Sequence, residues 1–495
     1  MSSYIGIDLG TTFSAVAFID DAGRPSIIHN DDGVNVTPSV VEVAGEEQFS
    51  VGESARKGLG LNPNCKGLFK RDMNNPTAEY QINGQTFTPH MLSAIVLKKL
   101  AQTATTTIGD IGSAVVTIPA NFANEGRDAT LRAAKEAGLN VEHIVNEPTA
   151  AALYYAYKSG EELSGTYAVY DLGGGTFDIS IINVEGKNVE VLAANGVSRL
   201  GGDDFDKALC NLVKQKFKAQ TGEDLDDADF TKNDAEEEKK SLSKREKIVC
   251  RVAKQMIEIT REEFEVAISS YISQAQMVCE AVTDEVNLRP DQLKGVFLVG
   301  GSTRIPAVLE SVRKTFNQEP VSTANVDEVV ALGAAIYAAY KSDRSGLNAV
   351  QKKAVEKIQV DERTAMCFGT LIFNGASGGL INDVIIPKNE KVPCTVTRTY
   401  TTISDGQESI DITITESRAV ETDPTFVKKI KEGNLDLPSG RPAGQEIKVE
   451  YSFDANQIMN CSFTDVATDR NTTFAIAHTQ SHEVSSNEID KFMVE

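Results

Sequence analysis

The chain has 495 residues, and 49 Lys or Arg against 71 Asp or Glu give it a formal net charge of −22. This negative charge disfavours nonspecific binding to nucleic acid or to an anionic membrane. Seven cysteines without a C-x-x-C pair, together with only five histidines, disfavour a disulfide scaffold and a zinc site. The N-terminus shows no signal-type segment, so we expect a cytoplasmic protein. Length alone predicts roughly three domains, before the residue patterns are considered.

The first two thirds of the sequence alternate between strand and helix patterns. Residues 113–119 are rich in β-formers, and the apolar residues of the segment 124–137 then recur at helical spacing. The run 297–299 has the pattern of a short buried strand. The apolar run 329–340 is too short to span a bilayer and predicts a buried helix. This alternation predicts an α/β domain over residues 1–342.

Beyond residue 342 the sequence becomes polar and then rich in strand patterns. We expect a linker over residues 343–359 and a second domain over 360–480. Ile410, Ile412 and Ile414 alternate with polar residues, which is typical of a half-buried antiparallel sheet. Residues 481–495 form a short tail that could begin a helix.

The α/β region contains an internal repeat. Residues 5–19 and 168–182 both have the pattern strand, Asp-Leu-Gly-x-x, strand. Two such hairpins indicate a duplicated domain with its ligand between the two halves.

Each repeat contains a turn rich in Gly and Thr, at residues 10–12 and 173–176. Backbone N–H groups of such turns converge on an oxyanion, and glycine allows its close approach. An Asp ends the strand before each turn, at Asp8 and Asp171. Carboxylates beside two phosphate-binding turns suit Mg²⁺ on a nucleoside triphosphate. One such motif could be an ordinary hairpin turn, but the pair favours nucleotide binding.

Other signatures are weaker or absent. The sequence contains neither a P-loop nor a strand–G-x-G-x-x-G–helix pattern. A third Gly-Gly turn at residues 299–304 could lie against a purine or could simply begin a helix. By themselves, Lys70 is typical of a surface lysine and Glu147 of a residue favoured by a helix dipole.

Taken together, the motifs resemble those of the DnaK-type, seventy-kilodalton heat-shock chaperones. The motifs that carry the resemblance are IDLGTT (7–12), NEPTAAA (146–152), YDLGGGTFD (170–178), LGGDDFD (200–206) and LVGGSTR (298–304). The actin and sugar-kinase superfamily shares the Asp-Gly turns but lacks the second of these motifs.

The resemblance implies a duplicated, actin-like (ribonuclease H-like) ATPase domain followed by a β-sandwich. The implied function is ATP hydrolysis coupled to binding of unfolded or extended polypeptide, with ATP/ADP and Mg²⁺ as cofactors. J-domain and nucleotide-exchange partners are implied as well. The resemblance to the β-sandwich domain is weaker and depends on strand pattern and fragments such as the segment 442–450.

The family's functional residues transfer by motif match. The resemblance implies catalytic roles for Lys70, Glu147, Thr176 and Asp178, and water-mediated Mg²⁺ binding by Asp8 and Asp171. The implied phosphate contacts are Thr11, Thr12, Gly173, Gly174 and Thr176. Gly10, Phe13 and Gly175 are implied as cofactor-binding residues, and Gly201 and Gly202 would lie near the ribose and phosphates. The implied adenosine contacts are Glu236, Lys239, Lys240, Ser243, Gly300, Gly301, Ser302, Arg304 and Asp327.

Several departures from the family leave a second function open. Asn121 replaces an aromatic residue, Phe13 stands where Tyr is common, and the leucine-rich linker motif is missing. The tail resembles the start of a helical lid that then stops, so we expect fast release of bound peptide. The alternatives are a nucleotide-gated regulator of another chaperone with little peptide cycling, and a small-molecule kinase of the same superfamily.

Overall fold

The computed structural model describes residues 3–45, 48–159, 163–186, 188–323, 325–342, 347–355, 359–364, 366–375, 378–388, 390–454, 459–476 and 493–494. The chain divides into two compact units. Unit 1 comprises Met1–Val360 and Val484–Glu495, and unit 2 comprises Asp361–Glu483.

The N-terminal half of unit 1 is built around a mixed sheet with helices packed on it. Its elements are β1 (Ser3–Asp8), β2 (Phe13–Ile19), β3 (Pro25–Ile28), β4 (Thr37–Pro38), β5 (Val40–Val43), β6 (Gln48–Val51), α1 (Glu53–Lys57), β7 (Cys65–Gly67), β8 (Tyr80–Ile82), β9 (Gln85–Phe87), α2 (Pro89–Ile108), β10 (Ile111–Ile118), α3 (Asn124–Glu136), β11 (Val141–Asn146) and α4 (Glu147–Ser159). The strand β1 pairs antiparallel with β2 and parallel with β10, which is parallel to β11. Ile5 and Ile7 of β1 are fully buried, so this strand lies at the centre of the core.

The second half of unit 1 is built around another mixed sheet. Its elements are β12 (Leu163–Leu172), β13 (Phe177–Gly186), β14 (Asn188–Val197), α5 (Gly202–Thr221), α6 (Lys232–Leu242), β15 (Lys247–Val252), β16 (Gln255–Thr260), α7 (Arg261–Glu285), β17 (Gly295–Val299), α8 (Pro306–Phe316) and α9 (Val329–Lys341). The strand β12 pairs antiparallel with β13 and parallel with β17. This is the pairing that β1 makes with β2 and β10. The duplication of the two halves stays a prediction.

Two helices connect the sheets. Helix α9 is the predicted apolar helix, and it contacts β1, β2 and α4. Gly6 of β1 makes this close packing possible, because an added Cβ would lie 2.8 Å from the Cβ of Ala334. Helix α4 in turn contacts β12, so the two helices link the strands that precede the two Gly-Thr turns.

Part of the predicted linker is packed on unit 1. Helix α10 (Ala349–Val355) begins after Asn348, whose Oδ1 accepts hydrogen bonds from the backbone N–H groups of Val350 and Gln351. The Gln351 Nε2 donates to the carbonyl of Ile19 at 3.0 Å. The remaining linker residues at 343–346 and 356–358 lie outside the described residues.

Unit 2 contains two antiparallel four-stranded sheets. The strands from residue 359 onward are β18 (Gln359–Arg363), β19 (Cys367–Asn374), β20 (Gly379–Ile386), β21 (Lys391–Val392), β22 (Cys394–Thr401), β23 (Ser409–Ser417), β24 (Lys428–Asp436), β25 (Glu446–Phe453), β26 (Met459–Asp465) and β27 (Arg470–Ile476). One sheet has the order β20-β19-β23-β24 and the other β22-β25-β26-β27. Ile412 and Ile414 of β23 are buried with Val449 and Tyr451 of β25, so the predicted period-two pattern is confirmed there.

The tail returns to unit 1. Its strand β28 (Met493–Val494) pairs in parallel with Gln48 and Phe49 of β6, so the predicted helix does not extend to these residues. The rest of the predicted tail, residues 481–492 and 495, lies outside the described residues.

Candidate nucleotide-binding site

The two Gly-Thr turns lie directly against each other. A Cβ added at Gly174 would lie 2.9 Å from the Cβ of Thr12, and one added at Gly175 would lie 2.7 Å from the Cβ of Thr11. Glycine is required at both positions because a side chain would force the turns apart. The structure therefore brings together the two turns that the sequence predicts to bind phosphate.

Hydrogen bonds from the N-terminal half hold the first turn in shape. The Ser14 hydroxyl accepts from the backbone N–H of Gly10 at 3.1 Å, and the Ser39 hydroxyl donates to the Gly10 carbonyl at 2.8 Å. Both serines are buried, and their hydroxyls lie 2.9 Å apart. Sequence reasoning missed Ser39, which is far from the turn along the chain and belongs to no recognisable motif.

A buried ion pair lies beside the turns. Lys70, on the 3₁₀ turn Phe69–Asp72, places Nζ 2.7 Å from Oε1 of Glu147, which begins α4. Burial alone would lower the pKa of Lys70, but Glu147, Asp8 and Asp178 together raise it. The lysine is thus held as a cation among carboxylates.

Three further carboxylates, each partly exposed, lie close to this ion pair. Burial and the nearby Glu147 raise the pKa of Asp8 to about 7, against the opposing effects of Lys70 and a 3.0 Å hydrogen bond from Thr117. The same two causes raise the pKa of Asp178 to about 7 and that of Asp171 well above its usual range. Asp171 and Asp178 are cross-strand partners on β12 and β13.

This excess of carboxylates in a partly exposed site fits a bound cation. Oxygen donors of this kind suit Mg²⁺, and a nearby positive charge would favour their ionised forms. Among the described residues, no three His, Cys, Asp or Glu side chains form a direct metal-binding group. The predicted role of Asp8 and Asp171, which is to hold Mg²⁺ through water, needs no such group.

The start of α5 packs against the second turn. A Cβ added at Gly201 would lie 2.7 Å from the Gly174 carbonyl, and Gly202 lies against Ser302 and Lys239. The Lys239 ammonium pairs with Asp206 and donates to the Gly202 carbonyl at 2.9 Å. Lys239 therefore stabilises the start of α5 through both contacts.

The third Gly-Gly turn, at residues 299–304, also contacts the second Gly-Thr turn. Gly300 has a φ of 82°, and the Ser302 hydroxyl donates to the Gly173 carbonyl at 2.8 Å. A Cβ added at Gly301 would lie 2.6 Å from Oδ1 of Asp327, which pairs with Arg304 at 3.2 Å. Both members of that pair are exposed, in contrast to the buried Ser302.

The predicted adenosine-side residues of α6 lie near the N-terminal half. Glu236 pairs with Arg56 and, at 3.0 Å, with the half-exposed Lys240. Ser243 caps the C-terminal end of α6, and the Arg56 guanidinium lies 5.4 Å from the ring centroid of Phe13. Sequence reasoning missed Arg56, whose partner is 180 positions away.

A family model for Hsp70 protein matches residues 4–71 and 65–495. The chain belongs to the Hsp70 family. It is therefore an Hsp70-type protein over nearly its whole length, which confirms the family resemblance of its motifs. The individual site residues are assigned below as proposals. None of the helices within the described part of this Hsp70 is both long and apolar enough to span a membrane.

Two polar contacts of this Hsp70 link its halves near the second turn. Asn121 donates to Asp178 with an Nδ2–Oδ1 distance of 2.8 Å. Arg71, next to the buried Lys70, donates through Nε to the Gly175 carbonyl at 2.8 Å. Asn121 stood out in the sequence only as a departure from the family, whereas Arg71 gave no signal of its own.

Proposed function

We propose that this Hsp70 is an ATP-hydrolysing chaperone that binds unfolded or extended polypeptide under nucleotide control. The observation that carries the ATPase assignment is the meeting of the turns 10–12 and 173–176 beside the buried pair of Lys70 and Glu147. Two converging turns rich in glycine and threonine suit a chain of phosphates. The buried cation suits charge that develops during phosphoryl transfer.

In this proposal the two Gly-Thr turns would bind the phosphates, and two aspartates would hold Mg²⁺. The backbone N–H groups of the two turns and the hydroxyls of Thr11, Thr12 and Thr176 would orient the phosphates. Asp8 and Asp171 would hold Mg²⁺ through water, and the bound ion would neutralise phosphate charge.

The remaining catalytic residues would act on the attacking water. Lys70 would orient that water, with Glu147 fixing the lysine and Asp178 accepting the proton. The ribose and adenine would lie against Gly201, Gly202 and the turn 300–304. Glu236 and Lys240 of α6 would complete this side of the site.

Unit 2 supports the peptide-binding part of the proposal. Phe373 of β19 lies directly opposite Leu380 of β20 in the strand register, and both side chains are about half exposed. Ile403, in the segment after β22, is exposed as well. Exposed apolar side chains paired at a hairpin end suit an extended apolar peptide.

Single-turnover ATP hydrolysis, measured with and without an unfolded peptide, tests this function. We expect hydrolysis in both conditions and a faster rate with peptide. ATP binding without a response to peptide would instead support a regulator of another chaperone. Transfer of phosphate to a metabolite would support a kinase, and failure to bind ATP would refute the proposal.

A further inference from the structure

The side chain of Arg71 crosses from the N-terminal half of unit 1 into the second half. It is only 9% exposed, and each of its three guanidinium nitrogens faces an acceptor of the second half. Nε donates to the Gly175 carbonyl at 2.8 Å, and Nη2 donates to Oδ2 of Asp204 at 3.0 Å. Nη1 lies 3.8 Å from Oδ2 of Asp203.

The chemistry of these three acceptors requires an arginine. The backbone carbonyl belongs to the turn between β12 and β13, whereas the two carboxylates begin α5. A planar guanidinium presents its donors as a fixed fork and can engage all three acceptors at once. A lysine ammonium has no such fork and could not keep the same arrangement.

The contact of Arg71 with the Gly175 carbonyl also fixes the direction of the Thr176 N–H. The carbonyl of Gly175 and the N–H of Thr176 belong to one rigid, trans peptide unit, so they point in opposite directions. Fixing the carbonyl on Arg71 therefore fixes the direction of the Thr176 N–H. Thr176 is a residue of the proposed phosphate-binding turn.

The position of Arg71 in the chain couples this contact to the proposed catalytic lysine. Leu68, at φ 63°, leads into the 3₁₀ turn Phe69–Asp72, which carries Lys70 and Arg71 as neighbours. Lys70 pairs with Glu147 in the N-terminal half, while Arg71 reaches the second half. One short turn thus places one cation at each side of the site.

We propose that Arg71 is a positioning residue that holds the second phosphate-binding turn against the N-terminal half and thereby sets how long nucleotide stays bound. It acts through the Gly175 carbonyl and the Asp204 carboxylate. This proposal rests on the proposed ATPase function. The ligand whose release Arg71 would slow is a nucleoside di- or triphosphate, bound through its phosphates.

Release of a fluorescent ADP analogue after mixing with excess ADP tests the proposal. Losing charge-assisted hydrogen bonds between the halves is expected to speed release in Arg71→Ala about tenfold or more. Arg71→Lys should release nucleotide nearly as fast as Arg71→Ala, because the fork is lost in both variants. The single-turnover rate at saturating ATP should fall as well, because the Thr176 N–H is no longer held.

Lys207→Ala is the matched control. Lys207 contacts the same carboxylates, Asp203 at 2.9 Å and Asp204 at 3.5 Å, but it lies on α5 itself and is half exposed. Its removal should leave nucleotide release within about twofold of the unmodified protein, because exposed ion pairs contribute little. An increase equal to that of Arg71→Ala would overturn the proposal, since loss of any cation near Asp204 would then suffice.

A second set of variants separates positioning from a general loss of structure. In a double-mutant cycle of Arg71→Lys with Asp204→Asn, the two effects on release should be less than additive, because both act on one contact. The proposal would be overturned if Arg71→Lys kept the nucleotide release rate of the unmodified protein. An unchanged melting temperature would show that this variant is folded. If the unmodified protein bound no ADP analogue, the ATPase assignment itself would fail instead.

Discussion

The side-chain amide of Asn121 donates to the carboxylate of Asp178, with Nδ2 and Oδ1 2.8 Å apart, and so joins the two halves of unit 1 at the site. Burial raises the pKa of Asp178, and Glu147 raises it further. Lys70 and the hydrogen bond from Asn121 oppose this rise, because both favour the ionised carboxylate.

We therefore expect Asn121→Ala to raise the pKa of Asp178 further. If Asp178 must be ionised for turnover, the rising limb of ATP hydrolysis against pH will move to higher pH in this variant. The pH profile of kcat measures the shift. Asn140→Ala, which removes an asparagine that donates to the Gly112 carbonyl instead, should leave the profile unchanged. Identical profiles for all three proteins would exclude this role of Asn121.

A second prediction concerns Lys70. Lys70→Ala should abolish ATP hydrolysis while leaving ATP binding largely intact, because the two turns would still supply the proposed phosphate contacts. Removing one partner of a buried ion pair costs about 3–5 kcal/mol of stability, so the melting temperature should also fall. Lys66→Ala is the control, because the Lys66 ammonium lies over the Tyr80 ring at 4.4 Å and makes no contact with Glu147 among the described interactions. Retained turnover in Lys70→Ala would refute its assignment.

A third prediction is a pH dependence of stability without nucleotide or Mg²⁺. The pKa of Asp8 is about 7 in the folded protein, against 3.8 as the ordinary value of an aspartate. Between about pH 4 and about pH 7 the folded state therefore binds more protons than the unfolded state. The free energy of unfolding should therefore fall as the pH rises from about 4 to about 7. Urea unfolding at about pH 5 and about pH 8 measures the difference. Asp8→Asn should reduce it, and an undiminished pH dependence in that variant would contradict the prediction.

A fourth prediction compares neighbouring glycines of the second turn. A methyl group at Gly174 would collide with Thr12, whereas the nearest atom to one at Gly173 is the Thr176 carbonyl oxygen at 3.9 Å. Overpacking typically costs about 1–3 kcal/mol, so Gly174→Ala should weaken ATP binding about fivefold or more. Gly173→Ala should bind within about threefold of the unmodified protein. Calorimetric titration decides the matter, and equal affinities for the two variants would contradict the clash.

The sequence predicts local features of this site better than its long-range contacts. Helix α9, buried from Val329 to Ala339, follows from a long apolar run, and Gly10 and Gly174 stand out because they lie in repeated turns. The contacts of Ser39 with Gly10 and of Arg71 with Gly175 depend on how distant segments pack, over 29 and 104 positions of the chain. Residue patterns report burial and backbone conformation, but they do not identify the partner of a buried polar side chain.

The last prediction concerns peptide binding by unit 2. Phe373 is 47% exposed and its cross-strand partner Leu380 is 58% exposed, so both can be covered by a ligand. Each side chain is already about half covered, so covering its exposed half stabilises a complex by roughly 0.8–1.5 kcal/mol. Phe373→Ser and Leu380→Ser should therefore each weaken binding of an unfolded, apolar peptide by roughly four- to twelvefold, measured by fluorescence anisotropy. Val466→Ser changes an equally exposed side chain between β26 and β27 and should leave the affinity unchanged. Basal ATP hydrolysis should be the same in all variants, and an unaltered peptide affinity in both hairpin variants would place the peptide site elsewhere.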